Sequence, residues 1–451
     1  MHPILDLAGL TPEAKARRIS AHYPALHDHA SGIFYSLLKI DGDRIRPFGP
    51  ADFAGVETFS FKGWRFPPEG PWEYRNNENS TITSGLWLVA QVERFLATGE
   101  AEAQAEAARA YASLEAIYRL GEADGKPGWM CKPYGFRLSD QTSGDQYLGA
   151  MWGLWCYLPI APAAHAARAR EMLVQFARYW RSVDYQIFYL DRVWDQRKEV
   201  QSYNAIYTAM NLIAHHLSGD EEFRTEALRL FARGRWLTET KLDAWRRERR
   251  AGDASDWEPN RLAAGVLQPG EFLCWETTVH SAFTAISATL VHDLAPDLVD
   301  HAALTGCLRR WWETWPLGIG DDLLPHYFFI VNLDTGAWRP APRTPRLPRD
   351  QWFLSQPHLS HINQKRWMEP LARFLFTSVL AAGHDPDIAP AARALAERIF
   401  ARIDATGMRW QVDPDGRQID PDLSDVRDVL SSEIPASFVA AFWRGRRLGW
   451  W

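Results

Sequence analysis

The chain has 451 residues, 46% of them hydrophobic, and a formal net charge of -6. That length supplies core for two or three ordinary domains or for one large ring. The mild negative charge argues against a nucleic-acid or membrane-surface partner. Cys131, Cys156, Cys274 and Cys307 show no CxxC or Cys/His spacing, so buried free thiols are expected and neither a metal nor another cofactor is called for. The start, Met-His-Pro-Ile-Leu-Asp, lacks the basic and apolar regions of a leader, and no run approaches the ~18–20 apolar residues of a membrane span. The expectation is a cytoplasmic protein; a periplasmic one stays open if a leader has been removed. The 22 tryptophans are the unusual entry. Beyond the core, that many flat apolar faces suit a cleft on which sugar rings stack.

Thr11-Pro-Glu opens the first helical stretch, expected to run as one or two helices to about Leu38. Residues 41–77 read as an aromatic loop. Asn76-Asn-Glu-Asn-Ser is then a polar mouth leading into an apolar helix, and the Ala/Glu-rich stretch 102–119 is its charged, solvent-facing partner. This pairing recurs. Polar-mouthed helices rich in small residues start near Glu78, Ser143, Tyr203, Glu276, Asn363 and Glu433. Charged amphipathic helices lie at about 102–119, 163–181, 221–236, 297–314 and 387–404, and the N-terminal helix is the sixth. Strand-like alternation is confined to short pieces such as Tyr327–Val331 and Met408–Val412.

Six inner and six outer helices in alternation describe an all-α (α/α)6 toroid, read as a single domain over 1–451. Gly85, Gly149, Gly153, Ala205, Ala209, Ala282, Ala285, Ala436 and Ala440 would let the inner helices approach closely. The inner-helix N-termini gather on one side, where unpaired N–H groups and helix dipoles favour anions and polar ligands. Long aromatic loops, 244–272 and 316–361, fall on that side, and loops of this length commonly build binding sites.

The Asp140/Asp145 mouth with Gln146, the Trp-rich loops and the Gly149/Gly153 pair on an inner helix carry a resemblance to the six-hairpin glycosidase-like superfamily, which includes unsaturated glucuronyl and rhamnogalacturonyl hydrolases. The resemblance spans nearly the whole chain and rests mainly on architecture. It implies an active cleft at the inner-helix N-termini, acidic catalysts and sugar substrates.

Glycoside hydrolysis uses a carboxyl as acid and, as a rule, a second as base or nucleophile. The mouths offer Glu78, Asp140, Asp145 and Glu276. Asp140 and Asp145 flank a loop-to-helix junction that Thr142 or Ser143 can cap. A first-turn acid is kept ionised by the dipole, so Asp145 suits base or ligand-binding work. Asp140 suits proton donation if aromatic burial raises its pKa, and the reverse assignment stays open. Glu276 and His280 share a helical face, as a catalytic acid with an orienting imidazole or as a plain intrahelical pair. The expected catalysts are therefore Asp140, Asp145 and Glu276. Glu78, Asn77, Gln146, Tyr203, Asn204, His280, His326 and His361 are candidates for contacting sugar hydroxyls. Trp129, Tyr134, Trp257, Trp275, Trp352 and Trp367 are candidate stacking faces. Arg137, with Lys132, Lys365 and Arg366, would suit a uronate.

Phosphate-binding glycine loops, HExxH and Gly-x-Ser-x-Gly are absent. Three readings remain: a glycoside hydrolase acting on an oligosaccharide; a polysaccharide lyase or sugar epimerase using Tyr and His (His280, His326, His361, Tyr203, Tyr327); and a carbohydrate-binding protein without turnover.

Overall fold

The computed structural model describes residues 2–451 except 57–60, 62, 190–191, 198–201, 251–262, 264, 275–276, 349, 351–359, 405–406 and 413–427, and except the side chains of 192, 248–250 and 277–281. In chain order the helices are α1 (Pro12–His22), α2 (Pro71–Asn77), α3 (Ser80–Thr98), α4 (Ala101–Ala123), α5 (Gly144–Tyr157), α6 (Ala163–Ser182) and α7 (Ser202–Ser218). They continue as α8 (Glu221–Arg233), α9 (Lys241–Arg250), α10 (Thr277–Leu294), α11 (His301–Thr314), α12 (Glu369–Ala382), α13 (Ala389–Arg402) and α14 (Glu433–Arg447).

Their burial separates two kinds. In α3 every residue from Ser80 to Arg94 is buried, and in α12 all of Glu369–Ala382 is. By contrast, α4 buries one stripe, Ala103, Ala107, Ala110, Leu114 and Ile117, at the spacing of a single helical face. The fully buried helices form the inner ring. Helix α3 packs on α5 and α14, α14 on α12, α12 on α10, α10 on α7 and α7 on α5, which closes it. Outside, α4 lies on α3, α6 bridges α5 and α7, α8 covers α7, α11 covers α10, α13 covers α12 and α1 covers α14.

Close approach inside the ring depends on missing side chains. A Cβ on Gly85 would overlap the backbone of Gly149, one on Gly149 would lie 2.6 Å from Ile82 Cα, and one on Gly153 would lie 2.8 Å from Gly85 O. The chain ends meet where α14 packs on α3 and α1, with Arg444 and Arg447 bound to Glu93 and Arg446 to Glu13; Lys15 on α1 adds a tie to the fifth hairpin. Its Nζ donates to Phe400 O (2.5 Å) and Ile403 O (2.9 Å) at the C-terminal end of α13, where unpaired helix carbonyls attract a cation.

Short sheets lie on the N-terminal side of the inner helices. Strand β1 (Leu37–Asp41) pairs antiparallel with β2 (Arg44–Arg46) and with β10 (Val429–Ser431), in the register Leu37↔Ser431. Strands β3 (Gln186–Tyr189) and β4 (Arg192–Asp195) form a hairpin before α7. Strand β5 (Glu271–Cys274) joins β6 (Phe329–Asn332) and β7 (Trp338–Pro340) just ahead of α10. Strands β8 (Arg366–Trp367) and β9 (Gln411–Val412) pair ahead of α12.

Two stretches read as loop carry regular structure, β2 and α2 within 41–77 and the end of α9 with the start of β5 within 244–272, because tertiary partners supply their hydrogen bonds and apolar contacts. Two boundaries also differ from expectation. The N-terminal helix ends at His22, and Leu37–Asp41 is a strand because a partner 390 residues away, β10, supplies its ladder. The fifth inner helix starts at Glu369, not near Asn363; β8 intervenes, and Pro370 sets the first turn.

Candidate functional site

The inner-helix mouths bring together a buried charged cluster. Glu369 and Glu433 open α12 and α14, and Arg373 lies one turn beyond Glu369. They are 3%, 1% and 7% exposed, so water does little to screen them. Arg373 donates two N–H groups to the same oxygen, Glu433 Oε2, Nε from 3.0 Å and Nη2 from closer. Its Nη2 lies 3.9 Å from Glu369 Oε2, and its guanidinium lies 5.2 Å from the centroid of the Phe283 ring. Ser431 Oγ donates to Glu369 Oε1. Glu433 Oε1 is buried with no hydrogen-bond partner among the described residues.

Burial pushes the Glu433 carboxyl up to about 7, and the charges of Glu369 and Asp145 add to it while Arg373 opposes. Burial works against the charge on Arg373, but Glu433, Glu369 and Asp145 outweigh it and raise its pKa. Asp145, partly exposed in the first turn of α5, thus shares an electrostatic field with this cluster. Ser143 occupies the N-cap position in extended backbone but makes no capping bond; its Oγ donates to Asp145 Oδ1. Thr142 Oγ1 donates to Met130 O (2.5 Å) and also does not cap.

A second cluster surrounds Glu78 at the α3 mouth. Its Oε1 accepts from Lys132 Nζ (2.5 Å) and Tyr189 OH (2.9 Å), and its Oε2 from Tyr134 OH (2.9 Å). Tyr74 and Tyr134 stack at 5.4 Å, with Trp64 5.8 Å from Tyr134. Burial, then the charge of Glu78, holds the Tyr74, Tyr134 and Tyr189 hydroxyls well above their usual range, which makes them donors. Tyr189 ends strand β3, so this bond ties the 186–195 hairpin across to the α3 mouth.

The other expected residues are dispersed. Asp140 does not share partners with Asp145. Its Oδ2 accepts from Arg65 N (2.9 Å) and its Oδ1 from Gln141 Nε2 (3.1 Å), so it holds a rim loop. Gln146 is buried and joins two mouths: Nε2 donates to Asn79 Oδ1 (2.9 Å) and Oε1 accepts from Ile82 N (3.1 Å). Asn204 is buried and donates to Leu230 O (3.1 Å). Asn77 Oδ1 accepts from Gly135 N (3.1 Å). Gln146 thus spends both amide atoms on the fold, whereas Asn77 Nδ2 and Asn204 Oδ1 are buried with no hydrogen-bond partner among the described residues.

Trp129 is a core residue whose indole donates to Ser139 O (3.1 Å), and Trp367 is buried 5.4 Å from the Tyr327 ring; neither offers an open stacking face. Arg137 is bidentate to Glu73, at 3.1 and 2.8 Å. Tyr203 is half-buried against Gly144, where a Cβ would strike its ring. His326 is half-buried, and burial followed by Arg366 pushes its pKa down to about 4. His361 is buried, with Ser360 Oγ 3.2 Å from its Nδ1. Trp257, Trp275, Glu276 and Trp352 lie outside the described residues, as does the side chain of His280.

The sequence does not single out Glu369 or Arg373, nor the burial of Glu433 against them. Glu433 marks the sixth mouth but reads as an ordinary first-turn acid, and Glu369/Arg373 reads as an intrahelical i,i+4 pair. A stronger signal was available: a Glu and an Arg in a helix otherwise apolar all round must face another charge.

No protein-family model matches the sequence, and no curated protein does. Solved structures do. An unsaturated glucuronyl hydrolase specific for heparin superposes with a TM-score of 0.51 at 10% identity, covering 97% of this chain and 96% of its own. A sugar epimerase from a ruminal bacterium superposes with a TM-score of 0.51 at 12% identity, covering 97% and 98%. The fold is the six-hairpin toroid. Within this toroid no described helix is long and apolar enough to cross a membrane. Among the described residues no group of three or more His, Cys, Asp or Glu is placed to hold a metal ion.

Proposed function

We propose that the protein is a carbohydrate-active enzyme, a glycoside hydrolase acting on an oligosaccharide at the toroid mouth, with Asp145 as the carboxylate and Glu433 as the acid. One observation carries this reading. A partly exposed acid at a helix N-terminus, where charge is favoured, shares a field with a fully buried acid whose proton affinity is raised to about 7. Two carboxyls in contrasting environments are the pattern of acid–base division of labour. Glu433 takes the donor role first assigned to Asp140, because both Asp140 oxygens bind a rim loop. The likeness to a hydrolase and an epimerase of the same fold supports a sugar substrate. A uronic acid finds less support: Lys132, Arg137 and Arg366 are each paired with a carboxylate, Glu78, Glu73 and Asp322.

The rival reading is proton abstraction from a sugar by histidine. It is favoured by His326, whose imidazole is kept neutral by burial and Arg366.

A panel of defined glycans with product analysis decides between them. New reducing ends are expected, with Asp145→Asn and Glu433→Gln each lowering kcat by ~10²–10⁴ while circular dichroism is unchanged; Asp140→Asn stays within a few-fold of wild type. Full activity in both Asp145→Asn and Glu433→Gln sinks the assignment. Solvent deuterium entering an uncleaved sugar moves the reading to the epimerase.

A further inference from the structure

The Glu369–Arg373–Glu433 cluster contains two carboxyls and one guanidinium, all at least nine-tenths buried. We infer that this cluster binds one proton at the bottom of the mouth, that the proton sits on Glu433 Oε1, and that Arg373 is a positioning residue which places it there. The geometry separates the two carboxyls. An ionised carboxylate facing an arginine commonly takes the fork with both oxygens, or has its second oxygen occupied by another donor, as Glu100 does with Arg94 on Oε2 and Arg17 on Oε1. Here both N–H groups go to Oε2, and Oε1 is buried with no hydrogen-bond partner among the described residues. The one-sided fork together with the bare oxygen fits a carboxylic acid, with Oε2 as the carbonyl-type acceptor and Oε1 as the hydroxyl. An ionised Glu433 would leave a charged oxygen unsatisfied, which is costly in this setting. Glu369 has no such bare oxygen: Oε1 accepts from Ser431 and Oε2 faces Arg373.

Charge balance agrees. With Glu433 protonated, Arg373 and Glu369 cancel; with it ionised, the buried cluster carries a net negative charge beside Asp145. The described titratable groups that bear on Glu433 are Arg373 and Glu369 from α12, Asp145 from α5 and Tyr23 from the turn after α1. Tyr23 OH donates to Ser432 O (2.9 Å), so its proton is already used.

The consequence for turnover rests on the hydrolase reading, in which a substrate oxygen becomes the acceptor that Oε1 lacks. The placement of the proton does not, and it is tested without substrate. The probe is full-length protein labelled with ¹³C at the glutamate carboxyl carbon and titrated by NMR. One resonance is expected to titrate near neutrality, to vanish in Glu433→Gln and to remain in Glu369→Gln. In Arg373→Met its midpoint is expected to move up by ~1–3 units, because an opposing charge has gone, and Arg373→Lys is expected to recover most of that shift. If the resonance survives Glu433→Gln, or if every glutamate titrates in the ordinary range, the inference is overturned. Should Arg373→Met not fold, the two Gln variants still locate the proton and Arg373→Lys still tests the positioning. Where turnover is established, the pH profile of kcat/KM in Arg373→Lys follows the NMR midpoint. A merely structural arginine would lower activity without moving that profile.

Discussion

Glu433 shows how one buried acid ties stability to pH. Its ordinary value is 4.5 and burial raises it to about 7, so the folded chain binds this proton more tightly than the unfolded one. Its favourable contribution is therefore fully present below 4.5 and is lost as pH rises through about 7. Glutamine at this position keeps the shape without the ionisation. Urea denaturation at pH about 5 and about 8 is expected to show wild type losing on the order of 3 kcal/mol more than Glu433→Gln across that interval. Parallel pH dependence in the two proteins would contradict the burial argument. The residue scale was also where the sequence was least legible. Glu78 was recognised as a mouth acid, but its saturation by Lys132, Tyr134 and Tyr189 depends on residues 54–111 positions away. Such a cage has no local signature.

At the scale of elements, small residues mark the inner helices, and the reason is measurable. Gly149→Ala would place a methyl 2.6 Å from Ile82 Cα, where both backbones are fixed, and is expected to destabilise the protein by about 1–3 kcal/mol in thermal or urea unfolding. Gly306, inside the outer helix α11, is the contrast: the nearest atom to its added Cβ is the flexible Arg310 Nη1 at 3.6 Å. Gly306→Ala is therefore expected to stabilise by up to ~1 kcal/mol through helix propensity. Equal effects at the two sites would mean that the inner helices do not meet as tightly as Gly85, Gly149 and Gly153 indicate. Elements were readable because helical periodicity and small-residue spacing are local properties. Their failures were equally local in cause. Leu37–Asp41 carries enough apolar residues for a helix, and only pairing with Val429–Ser431 makes it a strand.

For the whole molecule, the N-terminal helix must be held to the ring that α3 and α14 close, and Lys15 contributes by holding carbonyls at the end of α13. Lys15→Met keeps the stem but leaves those carbonyls buried without their donor. A loss of about 1–3 kcal/mol is expected, with faster hydrogen exchange in α1 and α13 than in α5. A variant as stable as wild type would show that α1 is held by its other contacts, among them Arg446–Glu13 and Arg17–Glu100. By itself, the sequence determined that the chain alternates buried and half-buried helices six times, because a helix buried all round and one buried on a stripe differ in composition. It also placed the polar residues at one end of each inner helix. Only the tertiary structure decided which of them meet. Asp140 and Asp145 are five positions apart yet serve the rim and the axis, whereas Glu369 and Glu433 are 64 positions apart and share one arginine. Spacing along a chain sets which face of a helix a side chain occupies; the rotation of each helix within a closed ring is set by the packing of all its neighbours, and that rotation chooses the charges that end up in contact.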